Sequence, residues 1–372
     1  MKKNILIFYI SRYSGHYQAA KAIQAGALEL FDDARVRTVN ALLYTNPILG
    51  SIITKAYIRL IKKRPEIWGN IYDDPEILRK TQGVRDRLNK FNMPKMKRLI
   101  ESFSPDIIYC TQAFPCGMVA EYKKLTGENI PLVGVLTDYA PHSYWLNDEV
   151  DLYAVPSEST ASALREKGVP ASRIRVSGIP IDPKFSIRAD RGAARAELGF
   201  TPDDPVLLVM GGNQGIGSLE EAVKALLRDN DHRYRIIVVT GANRKLYARL
   251  MKLEKKEGRE RIRTLSFFDR MDLLMDASDI IITKAGGMTT TEALAKKLPI
   301  VILDPIPGHE RMNADYLVKQ GAAVEVKDIT GLHTAVNRIL DLKKNYDGMR
   351  TAAGKISRPE SSMDICRMAL EV

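Results

Sequence analysis

The sequence predicts an α/β protein made of two doubly wound parallel-sheet domains, and three observations carry that prediction. Short apolar or β-branched runs alternate with helix-forming stretches along nearly the whole chain, the pattern of repeated strand–helix–strand units. Two glycine-rich turns each follow such a run and open a helix. A proline-punctuated segment, Gly178-Ile179-Pro180-Ile181-Asp182-Pro183, breaks the alternation near mid-chain, as a linker does. The length of 372 residues suits two domains of about 150 residues each.

In chain order, the strands expected of a first domain (1–180) are Ile5–Ile10, Val36–Val39, Ile107–Cys110, Leu132–Leu136, Leu152–Val155 and Ile174–Val176. Those of a second domain (181–358) are Val206–Met210, Ile236–Thr240, Arg263–Ser266, Ile280–Thr283, Ile300–Leu303 and Ala323–Val326. Residues 359–372 read as a short final helix that can pack back on the first domain. The start, Met1-Lys2-Lys3-Asn4 and then Ile5–Ile10, is similar to a signal peptide. Its apolar stretch is short, and Arg12 follows with no small-residue cleavage site, so a first strand is the expectation.

Composition narrows the class. Apolar content of 45% and charged content of 27% are those of a soluble globular protein. No apolar run approaches the roughly 20 residues that span a bilayer. Cys110, Cys116 and Cys366 are unevenly spaced and form neither a disulfide framework nor a zinc motif; reduced cytoplasmic thiols are expected. The net charge is +11, and residues 40–100 hold 13 Lys and Arg against 5 Asp and Glu. Such a patch suits nucleic acid or an anionic membrane. The chain carries no nucleic-acid-binding motif, but the patch alone does not decide between the two.

Within that basic region, Pro47 sits well at a helix start. Leu49, Ile52, Ile53, Ala56, Tyr57, Leu60 and Ile61 then keep the i, i+3, i+4, i+7 spacing. Lys55, Arg59, Lys62, Lys63 and Arg64 gather on the other side and at the end, and Trp68 follows Pro65. This helix can lie in a membrane interface, basic groups on anionic headgroups, or be a core helix whose last-turn cations complement its dipole.

Four motifs carry chemistry. Ser11-Arg12-Tyr13-Ser14-Gly15-His16 follows the first strand. It places His16 at a helix start, as a general base near neutral pH or as a cap. Thr137-Asp138-Tyr139-Ala140-Pro141-His142 follows another strand. Asp138 and His142 there are candidates for a second base, a base orienter or acceptor positioning; Asp138 can equally cap a turn. Met210 to Ser218 is a phosphate-type glycine loop without the Lys-Ser/Thr of a Walker loop and without a clean Rossmann fingerprint. Thr283-Lys284-Ala285-Gly286-Gly287-Met288-Thr289-Thr290-Thr291-Glu292 is a second strand–glycine–helix turn. Its N–H groups and dipole suit a diphosphate, and Glu292 is placed to accept from ribose hydroxyls. Pro307-Gly308-His309-Glu310-Arg311-Met312-Asn313 adds a polar cluster after the next strand. Phe268 can border a base or belong to the core. With no acidic metal motif, the two loops are expected to hold a diphosphate with no metal and no cofactor. Together these turns outline a nucleotide-sugar site.

On Ser14-Gly15-His16, Pro105-Asp106-Ile107-Ile108, Thr137-Asp138, Gly178-Ile179-Pro180-Ile181, Gly211-Gly212, Thr283 to Glu292 and Pro307 to Asn313, the chain resembles a known family. These are the glycosyltransferases that make glycosyldiacylglycerols: the bacterial processive diacylglycerol glucosyltransferases and the plant monogalactosyldiacylglycerol synthases, relatives of the peptidoglycan N-acetylglucosaminyltransferase. The resemblance runs from Ile5 to about Leu340. It implies a GT-B fold, two Rossmann-like domains facing a cleft, with the UDP-sugar on the C-terminal domain and diacylglycerol on the N-terminal one. It implies inversion by direct attack, with His16 as base. It puts Gly211, Gly212, Asn213 and Gly215 on the diphosphate loop, and Gly287, Met288 and Thr289, next to Gly286, on a second phosphate contact. It puts Glu292 on the ribose, and His309, Glu310 and Asn313 on sugar hydroxyls and phosphate. It also implies a peripheral protein on the inner face of the cell membrane, touching anionic lipids through 46–68, with Ile53, Tyr57, Arg59, Lys62, Lys63, Arg64 and Trp68 as contacts. It leaves nucleic acid out of the expected partners. Two departures stand out: His309 replaces the family's common Gln, and Arg12-Tyr13-Ser14 replaces smaller residues at the acceptor side. Rival readings are transfer to another lipid or a soluble acceptor, a UDP-sugar 2-epimerase, and a UDP-sugar-responsive regulator without turnover. The sequence leaves glucose against galactose, and oligomeric state, open.

Overall fold

The computed structural model describes residues 3–12, 14–48, 50–52, 56, 59, 83, 92–201, 204–228, 234–368 and 371. Contacts divide the chain into two units. The first comprises Met1–Pro183, Pro307–His309 and Glu360–Val372; the second comprises Lys184–Ile306 and Glu310–Pro359.

The first unit holds β1 (Asn4–Tyr9), β2 (Arg35–Asn40), β3 (Ile107–Cys110), β4 (Leu132–Val135), β5 (Leu152–Val155) and β6 (Ile174–Val176). They form one parallel sheet in the order β2-β1-β3-β4-β5-β6. Successive residues of β1 enter different cores. Ile5, Ile7 and Tyr9 pack on one face with Ala20, Ile23 and Ala27, and Leu6 and Phe8 pack on the other with Leu99, Ile100 and Val119. A parallel strand covered on both faces has to be apolar throughout, so β3, β4 and β5 read as unbroken runs, while the edge strands β2 and β6 carry exposed Arg35, Arg37 and Arg175.

The second unit holds β7 (Val206–Met210), β8 (Arg235–Val239), β9 (Ile262–Leu265), β10 (Ile280–Thr283), β11 (Ile300–Leu303) and β12 (Ala323–Val326). Their order is β12-β11-β10-β7-β8-β9, again all parallel. Every strand expected from sequence is present, and the two-sheet α/β expectation is met. In each sheet the order reverses beside the first strand: at β1, between β2 and β3, and at β7, between β8 and β10. Open α/β sheets bind ligands at such switch points, outside the carboxyl ends of the strands.

The last helix, Ser361–Met368, packs on helix Gly15–Leu30 within the first unit. Ser361 Oγ donates to the Ile179 carbonyl at 2.8 Å and accepts from Ile181 N at 3.4 Å. Gly26 is the point of closest approach: a Cβ built there would lie 3.0 Å from the Ser362 carbonyl carbon. Cys110, Cys116 and Cys366 are all free and buried. Burial raises the Cys110 and Cys366 thiols, the latter to about 12, so they are poor nucleophiles.

A Gly26→Leu variant forces the two helices apart. Overpacking of this kind costs about 1–3 kcal/mol. The expected readout is a lower urea midpoint at unchanged slope; an unchanged midpoint would show that this contact adds nothing to stability.

Candidate functional site

In the first unit the site grows from the turn after β1. Ser11 takes a left-handed conformation, φ 63°, which reverses the chain into helix Gly15–Leu30. Ser14 is the N-cap: its Oγ accepts from Tyr17 N at 3.4 Å and lies 2.7 Å from both the Ile10 and Ser11 carbonyl oxygens, which share its one proton. Capping is therefore done by Ser14, and the imidazole of His16 is not spent on it. Gly15 is exposed at the helix start.

His16 is held at two points. Its carbonyl accepts from Thr111 Oγ1 at 2.8 Å, at the end of β3. Its ring Nδ1 lies 3.0 Å from Thr137 Oγ1, at the end of β4. Thr111 also reaches the Phe8 carbonyl, so the switch-point strands β1 and β3 fix the helix start together. When Nδ1 carries the proton and donates to Thr137, Nε2 is left with its lone pair, the form a base requires. Burial lowers the His16 pKa below its ordinary 6.5, and the Asp138 carboxylate works against that by favouring the imidazolium. Desolvation wins, and the ring is neutral at pH 7.

Thr137 is the residue that sequence reasoning passed over. The expected orienter, Asp138, is half-buried beside it and acts through charge, while the ring nitrogen bonds to the threonine. A threonine ending a strand looks like β-propensity alone, so only the fold reveals it. The following turn is tied down where Thr160 Oγ1 donates to the Tyr139 carbonyl at 2.6 Å. His142 lies against aromatic rings, 5.5 Å from Tyr144 and 6.2 Å from Trp145 between centroids.

In the second unit the first glycine loop follows β7. Gly211, Gly212, Asn213 and Gly215 form a tight turn around a 3₁₀ segment, Gly212–Gln214. A Cβ on Gly211 would lie 2.2 Å from the Ile216 carbonyl oxygen, and one on Gly215 would lie 2.2 Å from that of Thr240. Glycine is thus required by packing as well as by the positive φ of Gly215, 53°. The carbonyl of Asn213 accepts from Ala242 N at 2.9 Å, and Asn243 Nδ2 donates to Gly215 O at 3.0 Å. Phe268 is half-buried after β9, and its neighbour Phe267 is exposed.

The second turn follows β10. Gly286 is the N-cap of helix Gly287–Ala295, which carries Gly287, Met288 and Thr289 in its first turn and a half-buried Glu292 further along. The two helix starts differ in charge. Helix Leu219–Leu227, after the first loop, has Glu220 and Glu221 in its first turn, and its Ser218 N already donates to the Asp304 carboxylate at 3.2 Å. Helix Gly287–Ala295 has no acid in its first turn. The carboxylate beside it, Glu310, whose Oε1 would lie 3.7 Å from a Cβ built on Gly286, is paired with Lys284, so this positive end keeps its pull on an anion.

His309, Glu310 and Asn313 lie in the first two turns of helix His309–Lys319. Glu310 is buried; it accepts from Ile306 N at 3.0 Å and is paired with Lys284. Asn313 is fully buried, and its Nδ2 donates to the Ala285 carbonyl at 3.0 Å, bracing the second glycine turn from beneath. Among the described residues no group of three or more His, Cys, Asp or Glu side chains could hold a metal ion. Of the residues expected at a membrane, Arg59 is helical and exposed. Ile53, Tyr57, Lys62, Lys63, Arg64 and Trp68 lie outside the described residues.

Two family models match. One described as monogalactosyldiacylglycerol (MGDG) synthase covers residues 16–181, and one described as glycosyltransferase family 28 C-terminal domain covers residues 206–362. The chain is 30% identical over 366 residues to a processive diacylglycerol beta-glucosyltransferase of Bacillus subtilis, spanning 94% of this chain and 92% of the relative. Among solved structures it is similar to MurG of Acinetobacter baumannii, with TM-score 0.66 and 16% identity over 100% of both chains. It is also similar to a UDP-GlcNAc 2-epimerase of Neisseria meningitidis bound to UDP-GlcNAc, with TM-score 0.63 and 13% identity over 100% of both chains. At such identities the structural likeness bears on the fold.

The geometry around His16 sets an ordered pair of titrations. The His16 ring is expected to titrate below 6.5. Asp138→Asn is expected to lower it further, because the carboxylate that favours the imidazolium is gone. Ring-proton NMR across pH, with the His16 signal assigned by its loss in His16→Ala, measures both. An unmoved midpoint in Asp138→Asn would uncouple the two groups.

Proposed function

We infer the activity from one premise: the chain belongs to the family of the processive diacylglycerol glucosyltransferases. It is a UDP-sugar-dependent hexosyltransferase that moves a sugar onto diacylglycerol, making a glycolipid. One observation supports this most. A neutral, oriented histidine stands at the switch point of the first sheet, and glycine turns suited to a diphosphate stand at the switch point of the second. A base for an acceptor and a seat for a nucleotide leaving group are the two things this chemistry requires.

In the proposed step the acceptor oxygen bonds to the anomeric carbon as the bond from that carbon to the β-phosphate oxygen breaks. The hydroxyl proton passes to His16 Nε2, and UDP leaves with the electron pair. One displacement inverts the anomeric centre. Thr137 holds the ring with Nε2 outward, and Asp138 stabilises the imidazolium as it forms. The N–H groups at Gly287 to Thr289 receive the growing phosphate charge, a preorganised contribution of the oxyanion-hole kind. Glu292 is the proposed ribose contact. Glucose and galactose are both candidate sugars.

We also place the protein on the inner face of the membrane, against anionic lipid. Leu43, Tyr44, Ile48 and Ile52 are all exposed, Ile48 to 77%. Four large apolar side chains in solvent within ten residues mark an interaction surface, and the surrounding sequence is strongly basic. Among the described residues no helix is long and apolar enough to cross a membrane.

Anionic vesicles containing diacylglycerol are expected to support UDP release from UDP-glucose or UDP-galactose; vesicles lacking diacylglycerol are not. Release independent of diacylglycerol would overturn the acceptor. His16→Ala is expected to lower turnover by at least about a hundredfold. Because the base works neutral and its pKa is lowered, activity should rise with pH through a midpoint below 6.5. Separately, Ile48→Asp with Ile52→Asp should weaken sedimentation with anionic vesicles while UDP affinity is kept. Full vesicle binding by that variant would remove this surface from the interface.

A further inference from the structure

We propose that Lys284 is the cation that receives the donor's diphosphate, and that Glu310 positions it and balances its charge while the site is empty. This rests on the donor site assigned above. The family resemblance puts Glu310 on sugar hydroxyls and phosphate, and it gives Lys284 no part.

The geometry points to Lys284 because its side chain runs past both glycine turns. A Cβ built on Gly212 would lie 3.6 Å from Lys284 Cε, and one on Gly286 would lie 3.3 Å from its Nζ. The ammonium therefore stands where the two turns approach each other, at the start of helix Gly287–Ala295, with Glu310 Oε1 beside it, 3.7 Å from the same Cβ on Gly286. Its side chain is 17% exposed, so it is screened from bulk water yet open on one side. The absence of side chains at Gly212 and Gly286 leaves the space that a phosphate needs next to that cation.

Glu310 is built to stay in place. It is 2% exposed. One carboxylate oxygen accepts from Ile306 N at 3.0 Å, and the other pairs with Lys284. A buried carboxylate held in this way is a fixed counter-charge, and the lysine is the mobile partner on a flexible four-carbon stem. Arrival of a diphosphate offers the ammonium a second anion of higher charge within a small rotation of its terminal bonds. The pair thus sets donor affinity: Lys284 adds to it, and Glu310 holds it down, which favours release of UDP after transfer. A purely structural ion pair would brace the turn and leave binding indifferent to phosphate.

Calorimetric titration with UDP and with uridine separates these. In Lys284→Met, UDP affinity is expected to fall about 10- to 100-fold, the scale of a charge-assisted bond, with uridine affinity unchanged. Lys284→Arg should keep most of the UDP affinity. Glu310→Gln should bind UDP several-fold more tightly. Lys284→Met leaves Glu310 buried without its partner, so the double variant Lys284→Met with Glu310→Gln removes that burden. It should bind UDP more weakly than the wild type but less weakly than Lys284→Met, whose unpaired carboxylate also repels phosphate, while melting close to the wild type. Unchanged UDP affinity in Lys284→Met, or equal loss of UDP and uridine in the double variant, overturns the proposal and leaves the donor site standing. A wild-type chain that binds uridine and UDP equally weakly overturns the donor site itself.

Discussion

A parallel strand buried on both faces has no place for a polar side chain except at its ends. That constraint governs both units. In β1 the residues alternate between two apolar cores, and the first residues able to carry chemistry are those of the turn that follows. The same holds for β7 and β10, whose ends deliver the two glycine turns. Where the strand order reverses, neighbouring turns diverge and leave a crevice. The positions of His16, Thr137, Gly211–Gly215 and Lys284–Gly287 are consequences of sheet burial and strand order.

In the proposed activity the two sites solve opposite electrostatic problems with few parts. The first has to keep an imidazole neutral yet able to accept a proton. Desolvation holds it neutral, and one carboxylate, Asp138, is close enough to favour the cation once formed. The second has to attract an anion and then let it go. Backbone N–H groups at an uncapped helix start supply attraction without side-chain reorganisation, and the Lys284–Glu310 pair supplies a charge that can be shared. Helix Gly287–Ala295 has no acid in its own first turn, and the Glu310 carboxylate beside it is paired with Lys284, while the neighbouring helix start already carries Asp304 on Ser218 N. The distribution of carboxylates thus ranks two turns that look alike in sequence.

Most of the fold was legible in the sequence because two-sided burial turns strands into continuous apolar runs, and Val206–Met210, Ile107–Cys110 and Ile280–Thr283 have the ends expected of them. The glycine turns were legible because no other residue fits them, as the 2.2 Å approach at Gly211 shows. Thr137 and Lys284 were not, since each owes its role to a neighbour distant in sequence: His16 lies 121 positions from Thr137, and Glu310 lies 26 from Lys284. Asn313 shows the converse. Its motif was visible, but only the fold reveals that its amide is spent on Ala285 O.

The lowered pKa of His16 acquires a further reason at the proposed membrane surface. Anionic lipid holds the adjoining water at about −30 mV. Protons concentrate there by the Boltzmann factor, so with about 59 mV per tenfold change the local pH falls about half a unit below bulk. An imidazole at its ordinary 6.5 would then be protonated to a substantial fraction at neutral bulk pH, and so idle in the proposed role of base. Burial lowers the midpoint and keeps the proposed base unprotonated at such a surface. The hydroxyl of Thr137 can serve either tautomer, so orientation is preserved without adding the charge that a second carboxylate would bring. A directly bonded aspartate would raise the midpoint toward the surface pH and blunt the base; a threonine on the ring, with the aspartate one residue further on, separates holding the base from stabilising its product.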